Sequence, residues 1–255
     1  SLVNLHEREL KMPVIVTSLS KAYWEMTKGA WLATLLKHNP KISYYIVSED
    51  LPACMNYVNF RPIGIDRLNE NLKHDEFIKL AELHTQNKDT TNYRYQPVRF
   101  SYKPYTLLQA STIYRFDDIY WFDADVEFTG PIDFEAIKPD PAGVTYLGRD
   151  SWPHSESGFV GIGTFARQFL CNWVNYYTTG ALFELDEWHD VMAMDRSLYE
   201  TTGLRLKDLA ADIHDKHPWP HTVLAEFSIH HKGPGRKQDK FKSNEALHGV
   251  VYDGK

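Results

Sequence analysis

Apolar and polar positions divide the first half of the chain into short apolar runs that alternate with helical patterns. Runs rich in β-branched and aromatic residues predict strands at 13–19, 41–50, 58–66 and 117–126. Apolar residues at helical spacing, or a polar-faced helical pattern, predict helices over 21–39 and 67–84, and 98–116 reads as a turn followed by a helix. The polar stretch 85–96 is expected to be a loop. Strands alternating with helices predict an α/β sandwich with a mostly parallel central sheet.

The second half has a different order of apolar and helical segments but continues the same domain. Two apolar segments, 143–152 and 157–165, precede helical patterns over about 165–177 and 187–200. No Gly/Ser-rich linker separates the halves. We therefore predict a single domain over 1–255, with halves at about 13–128 and 129–240 and a tail at 241–255.

Composition narrows the possible functions. The chain has 255 residues, 43% of them hydrophobic, and a formal net charge of −6. This charge argues against a nucleic-acid partner, which needs a basic face. No apolar run approaches the roughly 20 residues of a membrane span. The N-terminal residues lack the apolar core of a signal peptide, and Cys54 and Cys171 have no disulfide or metal spacing, so we expect a reducing, cytoplasmic setting.

Two aspartates directly follow the most apolar strand. In a parallel sheet, ligands bind beyond the carboxyl ends of the strands, where residues 17–20 and 48–50, with Thr17, Ser18 and Asp50 among them, are also expected. Residues i and i+2 of a strand point to the same side, so the carboxylates of Asp123 and Asp125 are expected to share one face of the strand predicted at 117–126. Such a pair suits Mn²⁺ or Mg²⁺, and the cation would cancel the repulsion between the acids. The alternative is a solvated turn in which both acids face water.

This pattern resembles the D-x-D signature of GT-A-fold glycosyltransferases. Three further segments resemble the glycogenin-like and galactosyltransferase-like members of that family: the helix at 98–111, the strand at 155–163, and the His-Gly-basic segment at 229–237. Two departures are visible: Glu156 replaces an Asn, and a Pro-Trp pair after the last segment is missing. The resemblance implies a GT-A-like Rossmann-type sandwich whose first half binds a nucleotide sugar and whose second half binds the acceptor and carries catalysis.

A histidine near the C-terminus is the third candidate metal ligand. Alternation from Val223 to Ile229 places His231 on an apolar face and His230 on a polar face, which favours His230 as the ligand. A hydrogen-bonded structural histidine is the alternative, and the family pattern favours ligation.

Candidate donor-binding residues surround this site. Glycine-rich basic loops bind phosphates, and by resemblance Lys232 or Lys237, beside Gly233, would contact the donor diphosphate. Surface cations are the alternative for all of these positions. The other candidates, on the strand ends and the opposite wall, are Thr17, Ser18, Asp50, Arg99, Lys103, Asp123 and Ala124.

An acidic and aromatic segment precedes the last predicted helix. Carboxylates beside an indole are suited to bind a sugar. The acids accept hydrogen bonds from the sugar hydroxyls, and the sugar ring stacks on the indole. The candidate catalytic acids are Asp190, Glu187 and Asp186. The candidate acceptor-binding residues are Trp152, His154, Trp188 and His189. The alternative is a set of acids at a helix N-terminus, with Asp186 as a cap.

These observations predict a metal-dependent glycosyltransferase that moves a sugar from a UDP- or GDP-sugar to a glycan or other hydroxyl acceptor, with retention of configuration. One alternative is a haloacid-dehalogenase-type phosphatase with Asp123 as its nucleophile. That motif usually lies near the start of its domain, whereas more than 100 residues of α/β pattern precede it here. The other alternative is a nucleotide-sugar-binding module without turnover.

Overall fold

Alternating strands and helices make up the part of the chain that the computed structural model describes, namely residues 13–27, 29–49, 63–64, 68, 70, 72–115, 117–149, 152–214 and 216–231. The strands of this part are β1 (Val14–Leu19), β2 (Ser43–Ser48), β3 (Ile63–Gly64), β4 (Ile119–Phe122), β5 (Val126–Phe128), β6 (Gly143–Leu147), β7 (Glu156–Ile162), β8 (Arg205–Asp208) and β9 (Ser228–His230). The α-helices are α1 (Lys21–Thr27), α2 (Ala30–His38), α3 (His74–Thr85), α4 (Pro97–Ile113), α5 (Phe134–Ile137), α6 (Arg167–Thr178) and α7 (Asp190–Glu200).

Seven strands form one central sheet in the order β3-β2-β1-β4-β7-β6-β8. The pairs β1–β2, β2–β3, β1–β4 and β6–β8 are parallel, and only β7 is antiparallel to its two neighbours. The predicted α/β sandwich with a mostly parallel sheet is therefore confirmed. Because β7 runs the opposite way, its first residues lie at the edge where β1, β2, β4 and β6 end.

The position of β4 in the centre of the sheet explains why its sequence is apolar at every position. Ile119 and Trp121 belong to the core on one face of the sheet, whereas Tyr120 and Phe122 belong to the core on the other face. A parallel strand covered by helices on both sides needs apolar residues on both of its faces. The run therefore marks a central strand.

Two helical segments differ from their predicted form. The helix expected over 21–39 is divided into α1 and α2, because Gly29 has a left-handed backbone with φ of 68°. A side chain there would also collide with Trp24, which a Cβ atom would approach to 2.7 Å. The turn expected at the start of 98–116 is absent, since α4 begins at Pro97 and continues through Pro104. Proline is well suited to the first helical position, where its missing N–H has no partner to lose.

A second, two-stranded sheet brings the end of the described chain to the centre of the molecule. Strand β9 pairs antiparallel with β5, with His230 opposite Val126. Helix α2 supports β5, since the Phe128 N–H donates to Thr34 Oγ1 at 3.0 Å. This pairing places His230 beside the turn that carries the two aspartates.

Some expectations fall partly or wholly outside the described residues. Of the strand expected at 58–66, the structure describes only β3 at 63–64, and Cys54 and the tail at 241–255 lie outside it. Cys171 is half-buried on α6. Among the described helices, none has both the length and the apolar character needed to cross a bilayer.

Candidate active site

The strand ends surround a cavity of about 220 Å³ at the carboxyl edge of the sheet. Its lining comes from the ends of β1, β2 and β4, from the turn after β4, from α1 and from one face of α4. The lining residues are Ser18, Leu19, Ser20, Tyr23, Glu49, Arg99, Phe100, Lys103, Trp121, Asp123, Ala124 and Asp125. Of the predicted donor-binding residues, Ser18, Arg99, Lys103, Asp123 and Ala124 are thus brought together here.

The two aspartates lie on a turn and not on a continuous strand, so the strand-based reason for their convergence was wrong. Strand β4 ends at Phe122, and the Val126 N–H donates to the Asp123 carbonyl at 3.0 Å, which closes the turn before β5. The Asp123 N–H donates to the Gly158 carbonyl at 2.9 Å, and Trp121 Nε1–H donates to Asp123 Oδ1 at 2.7 Å. The turn, and not the period of a strand, therefore brings the two acids together.

His230 faces both carboxylates. Its Nε2 lies 3.0 Å from Asp125 Oδ1 and 3.7 Å from Asp123 Oδ2, and its side chain is buried. The ligand atoms of these three residues lie within 4.8 Å of one another. We call Asp123, Asp125 and His230 the acid-pair site.

The alternation used to choose His230 does not describe the structure. Residues Val223–Glu226 form a 3₁₀ turn, Ile229 is exposed and Ser228 is buried. His231 is buried with its Nε2 2.9 Å from Glu127 Oε2, so it faces away from the acid pair. The pairing of β9 with β5 orients the two histidines. Alternation counted from Val223 could not predict their orientation, because the two-residue period of a strand does not hold through a 3₁₀ turn.

The donor set of the acid-pair site fits a divalent cation. Two carboxylates and one imidazole are ligands that Mn²⁺ accepts readily, and Mg²⁺ would use mainly the carboxylates. Gly158 allows the imidazole to approach, since a Cβ atom there would lie 2.5 Å from His230 Cε1. Because Gly158 has no side chain, the backbone of β7 can lie directly against the His230 imidazole.

A further acid and histidine lie on the other side of His230. Glu156, His217 and His230 form another group of potential ligands, with His217 Nε2 3.6 Å from Glu156 Oε2. Glu156 also accepts a hydrogen bond from the Gly158 N–H at 3.1 Å. The residue that departs from the family pattern therefore lies in the wall of the site.

Lys103 connects the acid-pair site to Asp190. Its Nζ lies 3.0 Å from Asp123 Oδ1 and 2.6 Å from Asp190 Oδ2, and it donates to the carbonyl and hydroxyl oxygens of Ser157. Lys103 and Asp190 are only 7% and 2% exposed. These contacts use the donors of the ammonium group within the protein. The prediction that Lys103 contacts a diphosphate is therefore not favoured, and its geometry is that of a positioning residue.

The charges of this pair stabilise each other. Burial alone would raise the pKa of Asp190, but Lys103 and the hydrogen bonds from Lys103 and Ser157 outweigh it, and the pKa lies below its usual range. Burial likewise opposes the charge of Lys103, whose pKa is nevertheless raised by Asp123 and Asp190. Both groups are ionised at neutral pH. A partner of opposite charge is needed here because an unpaired buried ion is costly.

The remaining donor-side predictions separate into three cases. Arg99 is exposed and lines the cavity, with its guanidinium 2.8 Å from Tyr23 Oη. Thr17 is fully buried and donates to the Phe122 carbonyl at 2.8 Å, so it serves the sheet and does not face the cavity. The other predicted donor-binding residues, Asp50, Lys232, Gly233 and Lys237, lie outside the described residues.

Sequence reasoning did not single out Tyr23, which also lines the cavity. Glu49 accepts from the Ser18 hydroxyl at 2.8 Å, and Tyr23 lies at the first turn after β1. Glu49 directly follows the last residue of β2 and belongs to the segment 48–50, which the rule that parallel strand ends form the site predicts at this edge. Tyr23 had no such signal, since aromatic residues at helical spacing usually mark a core face.

The predicted acceptor side is only partly supported. Trp188 is 5% exposed and packs edge-on against Tyr95 and Phe183, so its ring is not available to a sugar. Asp186 is exposed, and α7 starts after His189 without a side-chain cap, so Asp186 is not the expected cap. The burial of the indole follows from its place in the core cluster that includes residues of α6 and α7.

Trp152 and His154 line a separate cavity of about 530 Å³. Trp152 is 47% exposed, and the Arg149 guanidinium lies 4.2 Å from its ring centroid. Tyr199 and Asp208 contribute an exposed aromatic ring and a carboxylate to the same cavity. This cavity, and not the Trp188 side chain, offers aromatic surface to a ligand.

Three predicted residues form a cluster between the two cavities. His189 Nε2 lies 2.8 Å from Glu187 Oε2, and the rings of His154 and His189 are 4.9 Å apart. The ligand atoms of the three residues lie within 4.8 Å of one another. We call His154, Glu187 and His189 the imidazole site.

Comparison with known proteins gives a limited result. No protein-family model matches the chain, and no curated protein matches it in sequence. Among solved structures, the chain is similar to a glycosyltransferase involved in the glycosylation of the major capsid of PBCV-1, with 12% identity, a TM-score of 0.49 and coverage of 89% of this chain and 99% of that one. It is also similar to the apo structure of the bifunctional glycosyltransferase WbbM, with 10% identity, a TM-score of 0.48 and coverage of 96% and 52%. A third similar structure is the glycosyltransferase GlyE of Streptococcus pneumoniae TIGR4, with 10% identity, a TM-score of 0.42 and coverage of 77% and 46%. All three are glycosyltransferases, but at these TM-scores the likeness carries no argument about what this chain does.

Proposed function

We propose that the protein is a GT-A-like, metal-dependent glycosyltransferase that moves a sugar from a UDP- or GDP-sugar to a glycan or other hydroxyl acceptor. One observation carries the proposal. Asp123 and Asp125 from the turn after β4 and His230 from β9 converge within 4.8 Å beside a cavity at the carboxyl edge of a parallel sheet. A cation-binding set at this edge suits a ligand that carries a diphosphate.

Each part of the cavity has a role in this proposal. Asp123, Asp125 and His230 would hold Mn²⁺ or Mg²⁺, which when bound stabilises the negative charge of the diphosphate leaving group. The Arg99 guanidinium, at the cavity wall, adds positive charge for the same group. The Glu49 carboxylate is suited to accept hydrogen bonds from ribose hydroxyls. Lys103 holds the Asp123 carboxylate in position.

Retention of configuration is part of the proposal. An inverting enzyme needs a carboxylate base that takes the proton of the acceptor hydroxyl. Asp190 is a poor base, because it is buried, its Oδ2 accepts from Lys103 and Ser157, and its pKa lies below the usual range. A locked anion near the reacting sugar instead suits electrostatic stabilisation of an oxocarbenium-like transition state. We place the acceptor in the 530 Å³ cavity, where Trp152 offers an exposed ring.

The first test measures donor binding. Thermal unfolding of the chain is followed with UDP- and GDP-sugars, with and without Mn²⁺. We expect a higher Tm only when donor and Mn²⁺ are both present, by about 2–4 °C per kcal/mol of binding free energy. Asp125→Asn should abolish the increase. Asp212→Asn, the same change at an exposed aspartate, should leave it intact.

The second test measures turnover. With a donor that binds, we expect slow release of the free nucleotide and transfer to an added acceptor, and Asp125→Asn should lower the rate about 10²–10³-fold. NMR of the product reports the anomeric configuration. No Tm increase with any nucleotide diphosphate would contradict the whole proposal. Hydrolysis of an aryl phosphate would instead indicate the phosphatase, and binding without consumption would indicate a binding module.

A further inference from the structure

We propose that the imidazole site is a second cation site, which binds Zn²⁺ independently of the acid-pair site. Its three ligands come from two segments of the chain. His154 lies in the loop before β7, and Glu187 and His189 lie directly before α7. The inference does not depend on the proposed glycosyl transfer.

The tautomer of His154 is already suited to metal binding. Its Nδ1 lies 3.0 Å from the Ser155 carbonyl oxygen. A carbonyl can only accept, so Nδ1 carries the hydrogen and Nε2 keeps its lone pair. Histidines that bind metals commonly donate their other ring N–H to a carbonyl or carboxylate in this way.

His189 and Glu187 present the other two ligand atoms as a pair. His189 Nε2 and Glu187 Oε2 are 2.8 Å apart, a distance at which one hydrogen joins them. A divalent cation can take the place of that hydrogen and bind both atoms. His189 is 3% exposed, and rings of Tyr93, Phe100 and His154 pack around it, so its imidazole has little freedom to turn away.

Arg94 does not compete for the ligand atom. Its guanidinium lies 3.1 Å from Glu187 Oε1, which leaves Oε2 directed at the imidazole. An ordinary ion pair between Arg94 and Glu187 therefore coexists with the cation site and orients the carboxylate. Such outer partners typically change metal affinity by about 10–100-fold.

The composition of the site selects the metal. Two imidazoles and one carboxylate form a donor set typical of Zn²⁺, with a fourth position left for water. Mg²⁺ prefers oxygen ligands and is poorly served by this set. A cation here would tie the loop that carries Trp152 and His154 to the start of α7, where Asp190 lies. It would thus stabilise the wall that separates the two cavities.

Metal alone is the probe for this site. The Asp123→Asn/Asp125→Asn/His230→Gln variant removes the acid-pair site and also the imidazole that it shares with the group of Glu156 and His217. This variant is freed of metal with a chelator and titrated with ZnCl₂ by calorimetry. We expect one equivalent of Zn²⁺ to bind. Titration with Co²⁺ should produce the visible absorption of a tetrahedral site, which surface adsorption does not produce.

Two further variants test the ligands in the same background. Glu187→Gln keeps the shape of the side chain but should weaken Zn²⁺ binding at least tenfold. His154 lies in a loop, where a substitution disturbs the fold less. His154→Gln therefore tests the site even if Glu187→Gln unfolds the chain. The exposed His221→Gln is the matched control and should bind as the background does. Absence of Zn²⁺ binding, or equal affinity in His154→Gln and its control, would overturn the proposal.

Discussion

The acid-pair site and the imidazole site use the same residue types in opposite proportions. The first has two carboxylates and one imidazole, and the second has one carboxylate and two imidazoles. Carboxylate-rich sets favour Mg²⁺ and Mn²⁺, whereas imidazole-rich sets favour Zn²⁺. Under the two proposals, a single exchange of ligand type would direct Mn²⁺ to one site and Zn²⁺ to the other.

The two sites also differ in what holds them in place. A turn, a β pairing and the buried ammonium of Lys103 support the acid pair, whereas aromatic rings and one exposed ion pair support the imidazoles. They meet at the start of α7, because Asp190 binds Lys103 and directly follows His189. Because their other supports are separate, a change in one support should affect one site and spare the other.

The largest effect is expected for Lys103→Met. This change leaves the Asp190 carboxylate buried without a cation, which should lower the free energy of unfolding by about 3–5 kcal/mol. Chemical denaturation measures the loss. Mn²⁺-dependent donor binding should weaken, while Zn²⁺ binding at the imidazole site remains.

The exposed pair Lys79–Asp75 provides the control. Lys79→Met should cost no more than about 1 kcal/mol, since exposed ion pairs contribute little. Asp190→Asn in the Lys103→Met background should recover part of the stability. Equal losses for the two lysine variants would refute a structural role for the buried pair.

The next effect is a pH dependence that any comparison of the two sites must take into account. Burial lowers the pKa of His74 to about 4, and Asp75 opposes this shift only in part. The unfolded chain, with a histidine pKa of about 6.5, binds more protons between these values, so stability falls as pH decreases from 6.5 towards 4. From pH 8 to pH 5 this group should cost about 2 kcal/mol.

His74→Gln tests this effect. Unfolding by denaturant at several pH values should show a shallower loss below pH 6.5 in the variant than in the parent. The exposed His221→Gln should keep the parent slope. An unchanged slope in His74→Gln would show that His74 does not titrate as its burial implies. Until the pH dependence of stability is measured, metal titrations are best run above pH 6.5.

A similar cost is expected for Gly158→Ala. The added methyl would lie 2.5 Å from His230 Cε1, so the buried ring must shift, at about 1–3 kcal/mol. Calorimetry with Mn²⁺ should show weaker binding at the acid-pair site and unchanged Zn²⁺ binding. Gly203→Ala is not a suitable control because its φ is 75°, but Gly130→Ala has space and a permissive backbone. Equal Mn²⁺ affinity in Gly158→Ala and Gly130→Ala would count against His230 as a ligand.

The smallest effect is expected for Arg94→Gln. Loss of the outer partner of Glu187 should weaken Zn²⁺ binding about tenfold and leave the Mn²⁺ response unchanged. Arg205→Gln breaks a comparable ion pair with Asp140 far from this cluster and should alter neither metal. A change in Mn²⁺ binding by Arg94→Gln would show that the two sites are coupled.

Local sequence alone determined the layers of the fold. Strand β4 was recognisable because every residue from Ile119 to Phe122 is apolar, as a strand covered on both faces requires. The rule that parallel strands end at one edge then placed Ser18 and the acid pair together. The break at Gly29 was missed, since a helical period continues on both sides of a residue that leaves the helix.

Only the tertiary structure decided how the side chains combine. Asp123 and Asp125 meet through a turn, Lys103 reaches Asp190, and His154 meets His189, 35 residues further along the chain. Nothing in the periodicity around Trp188 distinguished a buried indole from a sugar platform. The physical reason is that residue spacing reports which face of an element is covered, whereas a site depends on partners that only long-range packing brings into contact.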